Sequence, residues 1–332
     1  MLIYKPSYFD DFRCTASACP DSCCKEWAVQ VDARSAAFYR SLPGALGDRL
    51  RQVLYDQEGE TYMAITEGRC PMWRADGLCR IQAELGEEAL CKTCREFPRL
   101  THDYGDFIER GLELSCPEAA RIILSAPFAP AVCREVPGDP EPEYDEEAMA
   151  VLKQTRQTAL DLVTDLSLPI PDMLGLLLLY GYQAQGELDG EDICPFDAGA
   201  AMNTIHEFAK NGSITDILDF FTGLEILTPQ WQVRLEHPGK LRFPETVRNL
   251  ARYFVERYWL QAVSDYDLAC RVKFILVSCL VVCGLGGNFA DTAQLYSKEI
   301  ENNIDNVEAL LDAAYSHPAF TDDRLLGILM NS

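Results

Sequence analysis

Apolar residues recur at three- and four-residue spacing through most of the second half of the chain. Such spacing places them on one face of an α-helix. It predicts helices over residues 147–166, 171–185, 244–263, 291–296 and 306–315. In the stretch PETVRNLARYFVERYWLQAV, one face carries Val247, Leu250, Tyr253, Phe254 and Tyr258. The second half of the chain is therefore predicted to be helical.

The first half has a less regular pattern. One helix-like stretch covers residues 32–57, where Asp32 offers an N-cap and apolar residues again recur at helical spacing. Loops are predicted around it, between clusters of cysteine. Alternation of apolar and polar residues, which is typical of a half-buried strand, is scarce along the whole chain. The pattern therefore predicts a mainly α fold.

The acidic, proline-rich segment VPGDPEPEYDEE is the best candidate for a linker. It divides the chain into three parts: a cysteine-rich region over residues 1–135, the linker over 136–147, and a helical domain over 148–332. With 332 residues, the chain is long enough for one large domain or two ordinary ones. The cysteine-rich and helical parts are expected to be separate domains, although a site between them would suit a single packed body equally.

The chain carries a formal charge of −23, which repels phosphate backbones and anionic lipid head groups. Nucleic-acid binding is therefore disfavoured. A basic partner, such as a lysine-bearing protein surface, suits this charge better, although the acidity also serves solubility alone. The N-terminus lacks the continuous apolar core of a signal peptide. The longest apolar runs, 173–180 and 274–283, are shorter than the ~20 residues that cross a bilayer. We expect a cytoplasmic protein without a transmembrane segment.

A cytoplasmic location changes the meaning of the fourteen cysteines, of which ten lie in the first 133 residues. Disulfides do not persist in a reducing compartment, so dense cysteine favours metal binding or redox chemistry over reduced core thiols. The first cluster spaces its cysteines as C-x4-C-x3-C-C, from Cys14 to Cys24. Cys70 and Cys79 follow, then Cys91 and Cys94, then Cys116. We predict that the irregular N-terminal region is metal-binding.

The spacing leaves the identity of the metal open. Loops can bring several thiolates to one centre, and proline after cysteine, as at Pro20 and Pro71, is common at iron–sulfur ligands. A standard zinc finger would need two C-x2-C pairs, and only Cys91 and Cys94 form one. Adjacent cysteines such as Cys23 and Cys24 seldom both ligate one zinc ion. They more easily serve a cluster or two separate centres, or one of them ligates while the other is a neighbouring thiol that does not. An iron–sulfur cluster and zinc both remain compatible with this pattern.

Three segments, FRCTASACPDSCCKEW, CPMWRADGLCRIQAELGEEALCKTCREFPR and ERGLELSCPEAAR, together resemble the flagellin lysine-N-methylase (FliB) family. That family contains a zinc- and iron-chelating cysteine module of the YkgJ type. The similarity covers roughly residues 8 to 125, and the order, spacing and flanking residues of the cysteines agree with it. The C-terminal helices fit the family's length without a motif of their own.

The resemblance implies an S-adenosylmethionine-dependent protein-lysine N-methyltransferase that acts on flagellin and contains a [4Fe-4S] cluster. The metal-ligating candidates carried over by position are Cys14, Cys19, Cys23, Cys24, Cys70, Cys79, Cys94 and Cys116. Cys91 departs from the family pattern and is expected to be a spare thiol. Which four cysteines ligate stays open, as do the catalytic base, the methyl-donor site and the oligomeric state.

Other residues give weaker signals. The glycines of VVCGLGGNF are better explained as a helix end than as a methyl-donor site. Cys270, Cys279 and Cys283 are predicted to pack in the core, and Cys133 and Cys194 receive no role. The four histidines have no metal-ligand spacing, and His102 is the best placed of them. Arg95 and Arg99 either hold a carboxylate or pair on the surface.

Three functions are therefore compared. The first is the methyltransferase, which rests on the resemblance. The second is an iron–sulfur electron-transfer or accessory protein, which rests on the cysteines alone. The third is a structural-zinc module whose acidic helical half docks a basic partner.

Overall fold

Short strands and helices alternate with loops in the first 135 residues of the computed structural model, which describes residues 1–25, 29–138, 141–209 and 212–331. The strands are β1 (Leu2–Lys5), β2 (Val29–Val31), β3 (Leu54–Gln57), β4 (Glu60–Met63), β5 (Arg99–Asp103), β6 (Phe107–Leu112) and β7 (Val132–Glu135). The helices are α1 (Ala33–Ser41), α2 (Gly44–Val53), α3 (Arg80–Leu85), α4 (Lys92–Glu96) and α5 (Pro117–Ser125). Glu26 and Trp27, which belong to the first cysteine motif, lie outside the described residues.

The strands form two small sheets. One has the order β5-β6-β1-β7, in which β1 runs parallel to β6 and antiparallel to β7. The other has the order β2-β4-β3 and is antiparallel throughout. The first sheet joins the N-terminus to residues more than a hundred positions away, since Leu2 pairs with both Phe107 and Glu135.

The predicted helix over residues 32–57 is only partly correct. Asp32 is the N-cap of α1, and its side chain accepts a hydrogen bond from the backbone N–H of Ser35. The helix ends before Leu42 and Pro43, which adopt extended backbone angles, and α2 begins at the next residue. The last four residues of the predicted helix form β3, which pairs with β4.

Ten helices form the second half of the described chain, as its apolar periodicity predicts. They are α6 (Glu146–Thr164), α7 (Ile170–Leu188), α8 (Ala198–Phe208), α9 (Ile214–Thr222), α10 (Pro229–Glu236), α11 (Val247–Tyr258), α12 (Leu268–Leu285), α13 (Phe289–Ile300), α14 (Ile304–Ser316) and α15 (Asp322–Met330). The mainly α fold class is confirmed.

Helix α12 is buried along its whole length and packs against α7, α9, α11, α13 and α14. Among the described residues, α12 is the one helix that is long and apolar enough to cross a membrane. Every residue of this helix is nevertheless buried inside the protein. Core helices of soluble proteins share these features, so the composition alone is weak evidence for a span. The helix ends at Leu285, where Gly286 and Gly287 adopt positive φ angles of 69° and 81°. The glycines of this segment therefore end a helix, as predicted.

Two hydrophobic cores are present. The larger core joins the C-terminal helices to β6, α5 and the aromatic side chains of Tyr8, Phe9 and Phe12. The smaller core lies among β2, α1, α2 and β4, and includes Cys70 and Cys91. The predicted linker is described except for residues 139–140, and its Tyr144 hydroxyl donates to Asp106 at 2.7 Å. The predicted domain boundaries stay a prediction.

The contact between α7 and α12 can be tested at Gly181. A Cβ atom at this position would lie 2.6 Å from Cγ1 of Val272. We therefore expect Gly181→Ala to lower the free energy of unfolding by about 1–2 kcal/mol, although alanine is the better helix former. Chemical denaturation of the single variants and of the double variant with Val272→Ala measures this. The cost of Gly181→Ala should shrink in the Val272→Ala background, and an unchanged or increased stability of the single variant would contradict the packing argument.

Candidate metal centre

Four separate segments supply nine of the ten cysteines of the N-terminal region, and the tenth, Cys133, lies on β7. The loop between β1 and β2 carries Cys14, Cys19, Cys23 and Cys24, and the loop between β4 and α3 carries Cys70. Three other cysteines occupy helix N-cap positions: Cys79 before α3, Cys91 before α4 and Cys116 before α5. Cys94 lies inside α4. None of the fourteen cysteines forms a disulfide in the described chain.

Backbone hydrogen bonds hold the first two of these segments together. The Cys70 N–H donates to the Cys24 carbonyl at 2.8 Å, and Lys25 pairs with Arg69 in an isolated bridge. These two contacts bring the first and second cysteine loops side by side, although they are some fifty residues apart in the sequence. Another bridge, between Trp73 and Cys79, lies within the second loop and closes it on itself.

Cys24 lies at the middle of a set of hydrogen-bonded thiols. Hydrogen bonds from Cys23 and Cys70 stabilise its thiolate and hold its pKa well below the ordinary thiol range. The same contacts raise the pKa of Cys23 and of Cys70, and burial raises both further. One negative charge is therefore favoured at Cys24 and disfavoured at its two neighbours.

Cys91 and Cys94 form a second hydrogen-bonded pair. The Cys94 side chain lowers the pKa of Cys91, while Cys91 and burial raise that of Cys94. Electrostatic repulsion from Cys23 and Cys24 also raises the pKa of Cys94, so the Cys91–Cys94 pair lies next to the set around Cys24. Cys91 was expected to be a spare thiol, and the structure places it beside Cys94 in the smaller core.

Cys14, Cys19 and Cys116 approach the same region from the side of α5. Burial raises the pKa of Cys116 to about 11, with further increases from the nearby Cys19 and Cys14. Cys14 and Cys116 in turn raise the pKa of Cys23. The eight predicted ligands thus interact electrostatically, in one group around Cys24 and another around Cys116 that meet at Cys23.

The thiols lie near one another without converging on one point. Within the described ranges, no group of three or more His, Cys, Asp or Glu side chains has the spacing that would hold a metal ion. The donor chemistry fits a thiolate-ligated centre, because the side chains that gather here are thiols and six of the eight predicted ligands are at least partly buried. The set of eight ligands stays a prediction.

An ion pair fixes the first cysteine loop to the helical half of the protein. Asp21 lies 3.0 Å from the Lys298 ammonium of α13 and 3.1 Å from that of Lys25. Burial alone would raise the pKa of Asp21, but the two lysines and a backbone hydrogen bond outweigh it and lower the pKa. Gln294, also on α13, donates to the Ser115 carbonyl at 2.7 Å. Helix α13 therefore supports both the first loop and the segment that carries Cys116.

A buried polar network lies behind Cys116 that sequence reasoning missed. The Arg257 guanidinium donates to the Tyr253 hydroxyl at 2.6 Å and lies 3.2 Å from the buried Glu301 carboxylate. Burial raises the pKa of Glu113, whose carboxylate accepts from Ser115 at 2.6 Å. One sequence feature could have indicated this network: Arg257 follows Tyr253 by four residues, so it lies on the same, apolar face of the predicted helix.

Several of the cysteines and histidines that gave weaker signals in the sequence have a role in packing or capping. Cys270, Cys279 and Cys283 are buried in the packing of α12, as predicted. His317 caps a turn by accepting from the Ala319 N–H at 3.3 Å. His102 is different, because its Nε2 is buried and has no hydrogen-bond partner among the described residues. The Arg99 guanidinium lies over the Phe12 ring at 5.2 Å.

Comparison with known proteins gives a consistent set of relatives. Over 139 residues, 40% of this chain, the sequence is 34% identical to the flagellar biosynthetic protein FliU of Salmonella muenchen, and the match covers 82% of that protein. The same identity and length relate it to the lysine-N-methylases of Salmonella choleraesuis and Salmonella typhimurium. The match covers 35% of each methylase. No family model and no solved structure matches the chain.

The hydrogen bonds at Cys24 predict unusual reactivity in metal-free protein. Thiolates, and not thiols, are alkylated, so iodoacetamide should continue to modify Cys24 well below the ordinary thiol pKa of about 8.5. Mass spectrometry of the peptide that carries Cys24, over a series of pH values, measures this. Cys70→Ala removes one donor and should shift the midpoint to higher pH, whereas Cys79→Ala, which removes no hydrogen bond to Cys24, should leave it nearly unchanged. A rate that falls steeply between pH 9 and 7 would contradict the assignment.

Proposed function

Because this chain belongs to the family of FliU and lysine-N-methylase, we propose that it transfers methyl groups to lysine side chains of flagellin. The relatives named lysine-N-methylase are the observation that supports this reaction. The flagellar name of FliU supports a flagellar substrate. The match covers about a third of each methylase, so the activity of the whole chain is a proposal.

We further propose S-adenosylmethionine as the methyl donor and a [4Fe-4S] cluster held by the N-terminal cysteines. The candidates are the eight thiols around Cys24 and Cys116, and four of them are enough for one cluster. Such a cluster would supply electron transfer or a binding site for the methyl donor. The protein's own part is to hold the thiols close together, which the backbone pairing of the two loops supports.

Methylation of lysine requires a neutral amine in line with the methyl carbon and the sulfur of the donor. The C–N bond forms as the C–S bond breaks, its electron pair stays on sulfur, and the amine proton passes to a base. Glu113 suits the base, because burial raises its pKa above the ordinary carboxyl value and it lies three residues before Cys116. The network behind Cys116 would orient it and exclude water.

The acidic charge of the chain suits a lysine-bearing protein substrate. A net charge of −23 attracts basic segments over a range of about a Debye length, ~8 Å at physiological salt. This field speeds encounter with the substrate and provides no selectivity among lysines. The choice of lysine must therefore come from contacts close to the reacting amine.

Methyl transfer is tested with protein purified without oxygen. Flagellin incubated with the protein, S-adenosylmethionine and a reductant should gain about 14 Da per methyl group, located on lysine by peptide mass spectrometry. Omission of the methyl donor is the control. An intact, metal-loaded protein that leaves flagellin unmodified would contradict the proposed substrate, and failure with a panel of other lysine-rich proteins would contradict the reaction. Glu113→Gln should lower kcat at least tenfold with little change in metal content. Glu118→Gln, two residues after Cys116, is the matched control and should retain activity, because Glu118 pairs with Arg121 of α5.

The metal is tested by analysis of the same preparation. We expect iron and sulfide in about equal amounts and a broad absorption band near ~400 nm. Cys24→Ser and Cys94→Ser should lower both contents, while Cys91→Ser and the exposed Cys133→Ser should retain them. Zinc without sulfide would exclude the cluster and favour the structural-zinc module. Reversible reduction without binding of the methyl donor would favour the electron-transfer protein.

A further inference from the structure

A cavity of about 550 Å³ lies between the four-stranded sheet and helices α6 and α11. No cysteine lines it, and Tyr253 and Arg257 of the network behind Cys116 form one end of its wall. This volume is in the range of sites that hold small molecules. Apolar side chains, among them Leu100, Leu112, Leu160 and Phe128, cover much of its wall.

The cavity concentrates positive charge in a protein that is otherwise acidic. Three carboxylates line it, against six basic side chains: Lys5, Arg110, Lys153, Arg156, Arg252 and Arg257. The net charge of the whole chain is −23. A local excess of cations in such a chain is typical of a site for an anion.

Two of the six cations pair with carboxylates outside the wall, Lys5 with Asp10 and Arg257 with Glu301. The carboxylates of the wall do not use all of the other four. Glu109 is engaged by Arg156, whose two terminal nitrogens donate to it at 2.9 and 2.7 Å. Glu256 is 3.9 Å from the Arg252 Nε, which is too far for a hydrogen bond. The Lys153 ammonium lies over the Phe107 ring at 3.8 Å.

Three buried nitrogen atoms at this cavity have no hydrogen-bond partner among the described residues. They are Nε of Arg110, Nε of Arg252 and Nε2 of His102. Arg252 is only 4% exposed, and its other two nitrogens donate to the carbonyls of Pro127 and Ile123. A guanidinium N–H can only donate, so each buried Nε requires an acceptor from elsewhere.

We propose that this cavity binds a small organic anion, with a carboxylate or phosphate head between Arg110 and Arg252 and an apolar, ring-bearing body against Leu112 and Phe128. Oxygens of the head accept from the unpartnered N–H groups, and such charge-assisted bonds are about twice as strong as neutral ones. The proposed ligand has a net negative charge, which distinguishes it from S-adenosylmethionine, whose sulfonium and ammonium outweigh its carboxylate at neutral pH. This inference therefore goes beyond the proposed function and does not depend on it.

Calorimetric titration of the full chain with two matched pairs of probes tests the proposal. Adenosine 5′-monophosphate is compared with adenosine, and indole-3-acetate with indole-3-acetamide. At least one anion should bind at least tenfold more tightly than its neutral counterpart, and the pair that shows this identifies the head group as phosphate or carboxylate. Equal binding within both pairs, or no binding of either anion at 10 mM, would overturn the proposal.

Variants place the bound anion in the cavity. Arg110→Gln should weaken the anion about tenfold or more, as expected for a lost hydrogen bond to a charged group. Lys153→Gln removes a cation of the opposite wall and should weaken it also, which keeps the test valid if Arg110→Gln fails to fold. Arg34→Gln, at an exposed position on α1, is the matched control and should bind as the unchanged protein does. Wild-type affinity in both cavity variants would overturn the assignment.

Discussion

The arrangement of the described chain depends on the complete burial of α12. Apolar residues lie on every side of this eighteen-residue helix, so each face must be covered by another element. Five helices provide that cover, and two of them have a second role. Helix α11 carries Tyr253 and Arg257 of the buried network, and α13 carries Lys298 and Gln294, which contact the segments around the cysteines. Packing around α12 therefore positions α11 and α13, whose side chains contact the segments that carry the cysteines.

Positive charge inside an acidic protein is the second organising feature. The four most buried arginines and lysines of the helical half are Arg248, Arg252, Arg271 and Lys273. Several of their hydrogen bonds go to backbone carbonyls, as at Arg248, which donates to the carbonyls of Asp165 and Leu168. Such bonds close the loop between α6 and α7 without burying a second carboxylate. Backbone carbonyls thus accept the hydrogen bonds of buried cations elsewhere in the fold. The Nε atoms of Arg110 and Arg252 in the cavity differ, because they have no such acceptor among the described residues.

The sequence predicted the long helices well because their signal is local. The periodicity over 147–166 and 171–185 corresponds closely to α6 and α7, whose apolar faces contact the same core. The strands could not be found this way. They are three to six residues long, too short for alternation to be recognised, and β1 pairs with partners more than a hundred residues distant. The break at Pro43 also divides a stretch whose periodicity continues across it.

The gathering of the cysteines was predictable only in part, for the same reason. Spacing grouped Cys19, Cys23 and Cys24, and it indicated that a later cluster completes the set. It could not show that Cys24 shares hydrogen bonds with Cys70, or that Asp21 contacts Lys298 across 277 positions. Those contacts depend on the tertiary packing of α13, which leaves no local pattern in the sequence.

The protonation of the thiols connects the metal-free structure to a metal-bound one. Without a metal, hydrogen bonds from Cys23 and Cys70 lower the pKa of Cys24, and the same contacts raise the pKa of those two thiols. A thiolate-ligated centre requires several neighbouring sulfurs to be deprotonated together, and their mutual repulsion must then be offset by the positive charge of the metal. Binding would therefore release protons and replace hydrogen bonds between thiols by bonds to metal. Since these thiols lie on loops with a small core of their own, the energy of metal binding would add directly to the stability of that region.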